Sequence, residues 1–156
     1  MYKIKKLLLK ILKIIDMIKV NNISYSGNNI CFKNNRLFID GKDVTPDAKE
    51  INIVVDGNIS TLSCQYAQKI EVTGNIGSIE AGASDKVIIN GNVEGDVDCV
   101  TGVLTCQDIH GKVECDTGYL KCKDIYGNVE TGTADITANN ISGNVETGTG
   151  DITYKK

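Results

Sequence analysis

The sequence predicts an all-β chain dominated by a parallel β-helix, a β-solenoid of about six coils of 16–18 residues, and three observations predict it. Apolar residues recur in columns along the second half of the chain, glycines recur at a fixed offset from those columns, and within each unit the apolar positions stand two apart. The first column runs Leu62, Ile79, Val97, Val113, Val129, Val145, and two residues on stand Cys64, Ala81, Cys99, Cys115, Thr131, Thr147. A second face gives Ile70, Val87, Leu104, Leu120, Ile136, Ile152, followed two residues later by Val72, Ile89, Cys106, Cys122, Ala138, Tyr154. Ile59, Ile76, Val93, Ile109, Ile125 and Ile141 mark a third corner. A step of two places every second side chain inside a strand and excludes a helical repeat. A unit this short cannot bury its own apolar face, so it must stack on its neighbours. Gly77, Gly95, Gly111, Gly127 and Gly143 precede the first column by two residues, where a turn with positive φ is expected.

Three regions follow from the same reading. Residues 1–20 are predicted to form an amphipathic α-helix that caps the first coil, oligomerises or lies on a membrane surface, with Ile4, Leu7, Ile11, Ile14 and Ile18 alternating steps of three and four and Lys3, Lys6, Lys10 and Lys13 opposite. Residues 21–56 read as a short β meander and an entry strand, with turns at Asn28-Asn29, Asn34-Asn35 and Asp40-Gly41 and a loop carrying Pro46 ahead of Ile51–Val55. Residues 57–156 are the solenoid. With 156 residues, 41% of them apolar, one proline and no tryptophan, the chain suits one domain with an appendage and a core without bulky aromatics.

Charge divides the chain unevenly. Six lysines against Asp16 give residues 1–20 a charge of +5, so the rest carries −8 of the overall −3. An acidic body with one arginine, Arg36, and one histidine, His110, excludes nucleic acid as the expected partner. Lys10 and Lys13 interrupt the apolar run, so the N-terminal segment is expected neither to span a membrane nor to act as a signal peptide.

Candidate chemistry is sparse. Cys99, Cys106, Cys115 and Cys122 lack the C-x2-C knuckle of structural zinc sites and fall in inward columns, so small core residues with free, buried thiols are expected. Stacked in-register cysteines point in parallel, which predicts poor bridging geometry. Free thiols suit a reducing cytoplasm, with a peripheral place at a membrane left open by the basic segment. Asp98, Glu114, Glu130 and Glu146 follow the first column by one residue and should stack outward as a carboxylate ladder, a weak candidate for a hard cation and otherwise a solvated face. No metal or cofactor is expected. His110 reads as a surface turn residue, and the Asn-Ile-Ser sequons at Asn22, Asn58 and Asn140 as products of an Asn-rich turn composition. No Ser/His/Asp grouping or glycine-rich phosphate loop occurs, so the chain is expected not to be an enzyme.

The run Val87-Ile-Ile-Asn-Gly-Asn-Val-Glu-Gly-Asp-Val97, with later Gly-Asn-Val-Glu-Thr and Gly-Asp-Ile-Thr, resembles the Gly-Asp-Val/Ile repeats of bactofilins, polymer-forming bacterial cytoskeletal proteins. It is also similar to the repeats of adhesin-like solenoids of bacteria and phages. The bactofilin resemblance implies a right-handed β-helix that polymerises end to end and is held at a membrane by a short N-terminal segment. The expected function is a non-catalytic scaffold that self-associates, through the helix stripe Ile4, Leu7, Ile11, Ile14 and Ile18 or through the last coil at Ile152 and Tyr154, where the sequence provides no capping element beyond two lysines. Two alternatives stand beside it: a phage or mobile-element module presenting the acidic face to a host protein or small ligand, and a peripheral scaffold whose basic helix lies on an anionic membrane surface.

Overall fold

A computed structural model describes residues 17–155. The chain opens with β1 (Met17–Val20), β2 (Ile23–Ser26), β3 (Asn29–Lys33), β4 (Arg36–Ile39), β5 (Lys42–Asp43) and β6 (Asn52–Asp56). The coils are built from β7 (Ile59–Cys64), β8 (Lys69–Val72), β9 (Ile76–Ile89), β10 (Val97–Thr105), β11 (Val113–Cys115) and β12 (Tyr119–Lys121). They continue through β13 (Asp124–Ile125), β14 (Val129–Thr131), β15 (Asp135–Thr137), β16 (Asn140–Ile141), β17 (Val145–Thr147) and β18 (Ile152–Thr153).

The periodic columns are ladders. Val97, Val113, Val129 and Val145 pair in direct parallel register, and Ile79 precedes Val97 in the same row. The second face stacks Ile70, Val87, Leu104, Leu120, Ile136 and Ile152. The third corner joins Ile59 through Ile141 by single bridges and the short β13–β16 pair. Six coils therefore share one core of three apolar ladders, which matches the solenoid read from the repeat. The longest interval, 18 residues between Ile79 and Val97, exceeds the 16-residue coils by two, and one of the two is Asp85, skipped where Gly102 pairs with Ser84 and Val103 with Lys86.

The predicted helix requires correction. Met17–Val20 is a strand, paired antiparallel with both β2 and β6, and no helix occurs among the described residues. Ile18 and Val20, two apart, are turned into the core at 0% and 1% exposure, so Ile18 is a packing residue and not an association surface. Ile4, Leu7, Ile11 and Ile14 lie outside the described residues.

The meander is present and closes one end of the solenoid. Two-residue turns at Asn21-Asn22, Asn34-Asn35 and Asp40-Gly41 all have positive φ at both positions, the geometry that matches the twist of tight hairpins. Asn29 instead lies inside β3, so Asn28-Asn29 is not a hairpin turn. β3 stacks parallel on β7 and is followed outward by antiparallel β4 and β5; β6 stacks parallel on β8 and is followed by antiparallel β1 and β2. Both faces thus run on beyond the first coil, with Leu37 and Ile39 buried on one and Ile18 and Val20 on the other. The Asp40 carboxylate accepts hydrogen bonds from the Asn29 side chain at 2.8 Å and from the backbone N–H groups of Asn28 and Asn29, tying the β4–β5 turn to the start of β3. Those bonds, the Asn29 amide foremost, hold its pKa below the ordinary value.

The asparagines at the corners have a structural task. The side-chain oxygen of Asn58 accepts the Asn75 N–H, that of Asn75 the Asn92 N–H, and that of Asn92 the Asp108 N–H, each one coil further on. Such a ladder satisfies backbone donors that the bend leaves outside strand pairing. The recurrent glycines also have a different reason from the one expected. None of Gly77, Gly95, Gly111, Gly127 and Gly143 is among the positive-φ residues, and a Cβ on each would run into the backbone of the preceding coil. They are glycines because the coils touch there.

Candidate functional site

The outward face of the first ladder carries the candidate site. Glu80, Asp98, Glu114, Glu130 and Glu146 stand in register on consecutive coils, so the predicted row is real and has one more rung, Glu80. Glu80 follows Ile79 of the first column by one residue, so the offset that marks the other rungs reaches it too. Lys112 spans two rungs: its Nζ pairs with Glu114 and lies 3.1 Å from Glu130. Ser63 Oγ donates to Glu80 at 3.0 Å. The pairing explains how like charges about 5 Å apart are tolerated.

Lys112 pairs with Glu114 and Glu130, the two rungs beyond Asp98. Partial burial, then the charges of Glu114, Glu80 and Asp116, push its carboxyl above the ordinary carboxylate value. A carboxylate whose pKa is raised by folding opposes the fold at neutral pH and ceases to do so as pH falls through that raised value. Asp98→Asn is therefore expected to raise the thermal midpoint at pH 7, with the gain shrinking as acid protonates Asp98 in the parent chain. Melting curves from pH 7 to pH 4 measure it, and an Asp98→Asn midpoint at or below the parent's at pH 7 would contradict the ladder's repulsion.

Asp98, Glu114, Asp116 and Glu130 line a shallow depression with Cys115, Thr131 and Gly132. Its oxygens are spread along the axis, and among the described residues no three His, Cys, Asp or Glu side chains converge to hold a metal ion. The solitary His110 is exposed, with Nδ1 2.8 Å from Glu94 Oε2 and its ring 5.2 Å from that of Tyr126. It is a turn residue in a surface column.

The cysteines overturn one expectation. Cys99 and Cys115, direct partners on β10 and β11, form a disulfide with Cα atoms 4.7 Å apart. Parallel stacking thus permits a bridge that the sequence reading judged unfavourable, and the argument from free thiols to a reducing cytoplasm loses its basis at this pair. Cys64, Cys106 and Cys122 are free and buried, as expected, and Cys31 is partly exposed. Burial raises the Cys64 pKa, and Cys106 is raised by a hydrogen bond with Cys122 and by burial, which keeps both thiols protonated and unreactive toward solvent.

The last coil differs from all the others. Ile141, Val145, Ile152 and Tyr154 are only partly buried, whereas their counterparts one coil earlier, Ile125, Val129, Ile136 and Ala138, are buried. β16, β17 and β18 each pair on one side only among the described residues. Of the residues expected to mediate association, Ile152 and Tyr154 are therefore on a half-open apolar surface, while Ile18 is in the core. A family-model comparison and searches of curated proteins and of solved structures find no match to this chain, so its likeness to bactofilins and adhesin-like solenoids rests on the repeat pattern alone.

Proposed function

We propose that this chain is a non-catalytic structural protein that associates with a second copy of itself through the last coil of its solenoid. The observation that carries the reading is the difference between the two ends. Hairpins extend both faces beyond the first coil and bury the ladder residues there, while the last coil leaves Ile141, Val145, Ile152 and Tyr154 partly exposed beside unpaired strand edges. Unpaired edges next to apolar side chains are templates for strand addition. At the opposite end the outermost described strands are β2, which also pairs on one side only, and the two-residue β5, whose Asp43 is held by Arg36 at 3.0 Å. The difference there lies in the ladder residues beneath them, Ile18, Val20, Leu37 and Ile39, which are buried. Two copies that meet through the half-open ladder residues of the last coil form a closed pair of molecules.

Sedimentation of the full chain over a wide concentration range tests the reading. The expected result is a reversible shift from monomer to dimer, lost in the double variant Val145→Lys, Ile152→Lys, which retains the parent's β-sheet circular dichroism because both positions already face the open end. A parent chain that stays monomeric throughout, or a variant that dimerises as the parent does, would reject it.

A second reading is favoured by the ladder itself. Five stacked carboxylates offer a row of negative charge at the strand spacing, suited to a partner with regularly placed cations. Basic peptides that raise the melting midpoint of the parent but not of a Glu114→Gln, Glu130→Gln variant would support it.

A further inference from the structure

The disulfide between Cys99 and Cys115 ties together two adjacent coils on the first face. On the second face of the same two coils stand Cys106 and Cys122. They follow directly on the parallel pairs Leu104–Leu120 and Thr105–Lys121, so the next step of the same register sets them opposite one another. Their backbones are held in the ladder: the Cys106 N–H donates to the Lys121 carbonyl at 3.0 Å and the Cys122 N–H to the Thr137 carbonyl at 3.0 Å. Both side chains are turned inward, at 5% and 9% exposure. In the flanking coils this column holds Ile89 and Ala138, so two cysteines coincide only where the first bridge already lies.

We propose that Cys106 and Cys122 are a second cross-linking site, which closes to a disulfide by exchange with a small-molecule disulfide and staples the same pair of coils on the opposite face. The thiolate of one cysteine attacks a sulfur of the incoming disulfide, forming a mixed disulfide and releasing one small thiol. The second cysteine, deprotonated, displaces the remaining small thiol and forms the Cys106–Cys122 bond. The protein loses two protons and two electrons, and the oxidant is reduced to two thiols. The geometry demands nothing new, since the neighbouring pair shows that stacked positions in these strands can be bridged. In the closed fold both thiols are shielded from solvent, so exchange belongs to the stage at which the coils come together. This inference is independent of self-association.

The test is to refold the reduced full chain in a mixture of reduced and oxidised glutathione, alkylate the remaining thiols under denaturing conditions, and map the peptides without reduction. The expected product contains a Cys106–Cys122 link beside Cys99–Cys115, with Cys31 and Cys64 alkylated. A Cys106→Ala, Cys122→Ala variant provides the second measurement, since alanine already occupies this column at Ala138. Its melting midpoint should match the parent's in reductant and fall below it after oxidative refolding, by roughly 6–12 °C for a closed loop of this length. Recovery of Cys106 or Cys122 from the oxidised, folded chain as a free or glutathione-capped thiol would overturn the proposal, as would equal oxidised midpoints for parent and variant.

Discussion

Replacing Ile109 by alanine is expected to destabilise the protein by about 2–5 kcal/mol, the range for deleting a large aliphatic side chain from a packed core. Ile109 is fully buried midway along the third ladder, between Val93 and Ile125, which are also fully buried. Around Ile109 that corner is joined by single bridges, whereas the adjoining faces are fixed by continuous strand pairs. The neighbours therefore cannot shift inward to fill the space, which places the cost toward the upper end. Because the total stability of a domain is typically about 5–15 kcal/mol, the loss is a large share of the whole. Urea titration followed by circular dichroism measures it, and a change under about 1 kcal/mol at an unchanged slope would mean that the ladder is not packed as described.

The second large effect is expected at Gly127. Its hypothetical Cβ meets the backbone of Gly111 and the backbone nitrogen of Lys112, which hydrogen bonds between coils hold in place: Gly111 N–H donates to the Gly95 carbonyl and Lys112 N–H to Asp96 Oδ1. Gly127→Ala should cost about 3 kcal/mol, the upper part of the range for overpacking, because no rotamer change relieves a contact made by backbone. Gly41→Ala is the informative comparison. Gly41 has φ +80° with open space around it, so alanine there reports the left-handed conformation alone, about 1–2 kcal/mol. If Gly41→Ala proved the more damaging of the two in parallel denaturation curves, the recurrent glycines would be serving turn geometry and not coil contact.

The contrast between those glycines shows what a sequence of this kind discloses. Equal spacing of apolar pairs reports stacking because only in-register coils keep every inward position dry, and so Val97, Val113, Val129 and Val145 were legible as one row. The reason for a glycine is not written beside it: a positive φ and a close approach demand the same residue. Met17–Val20 was misread because Ile18 follows Ile14 by four residues, as a helix would have it, and precedes Val20 by two, as a strand would. The pairing with β6 decides between them, and that partner lies more than thirty residues away. The corner row of Ala67, Ser84, Gly102, Gly118 and Ala134 went unnoticed because small residues give no hydrophobic signal, although Ser84 is buried there with its hydroxyl beside the Cys64 thiol. The carboxylate ladder was visible from Asp98 onward; the position of Lys112 across two of its rungs needed coordinates.

The hairpins at residues 17–43 also bear on the order in which the molecule is made. Each closes through a two-residue turn, the cheapest loop a chain can form, whereas every coil must bring together segments at least sixteen residues apart before its first bond is rewarded. As a nascent chain emerges, β3, held in its hairpin with β4, is in place to template β7 of the first coil, and each finished coil does the same for the one after it. Assembly is thus polarised from the start of the chain toward its end, with the growing tip always the least protected part.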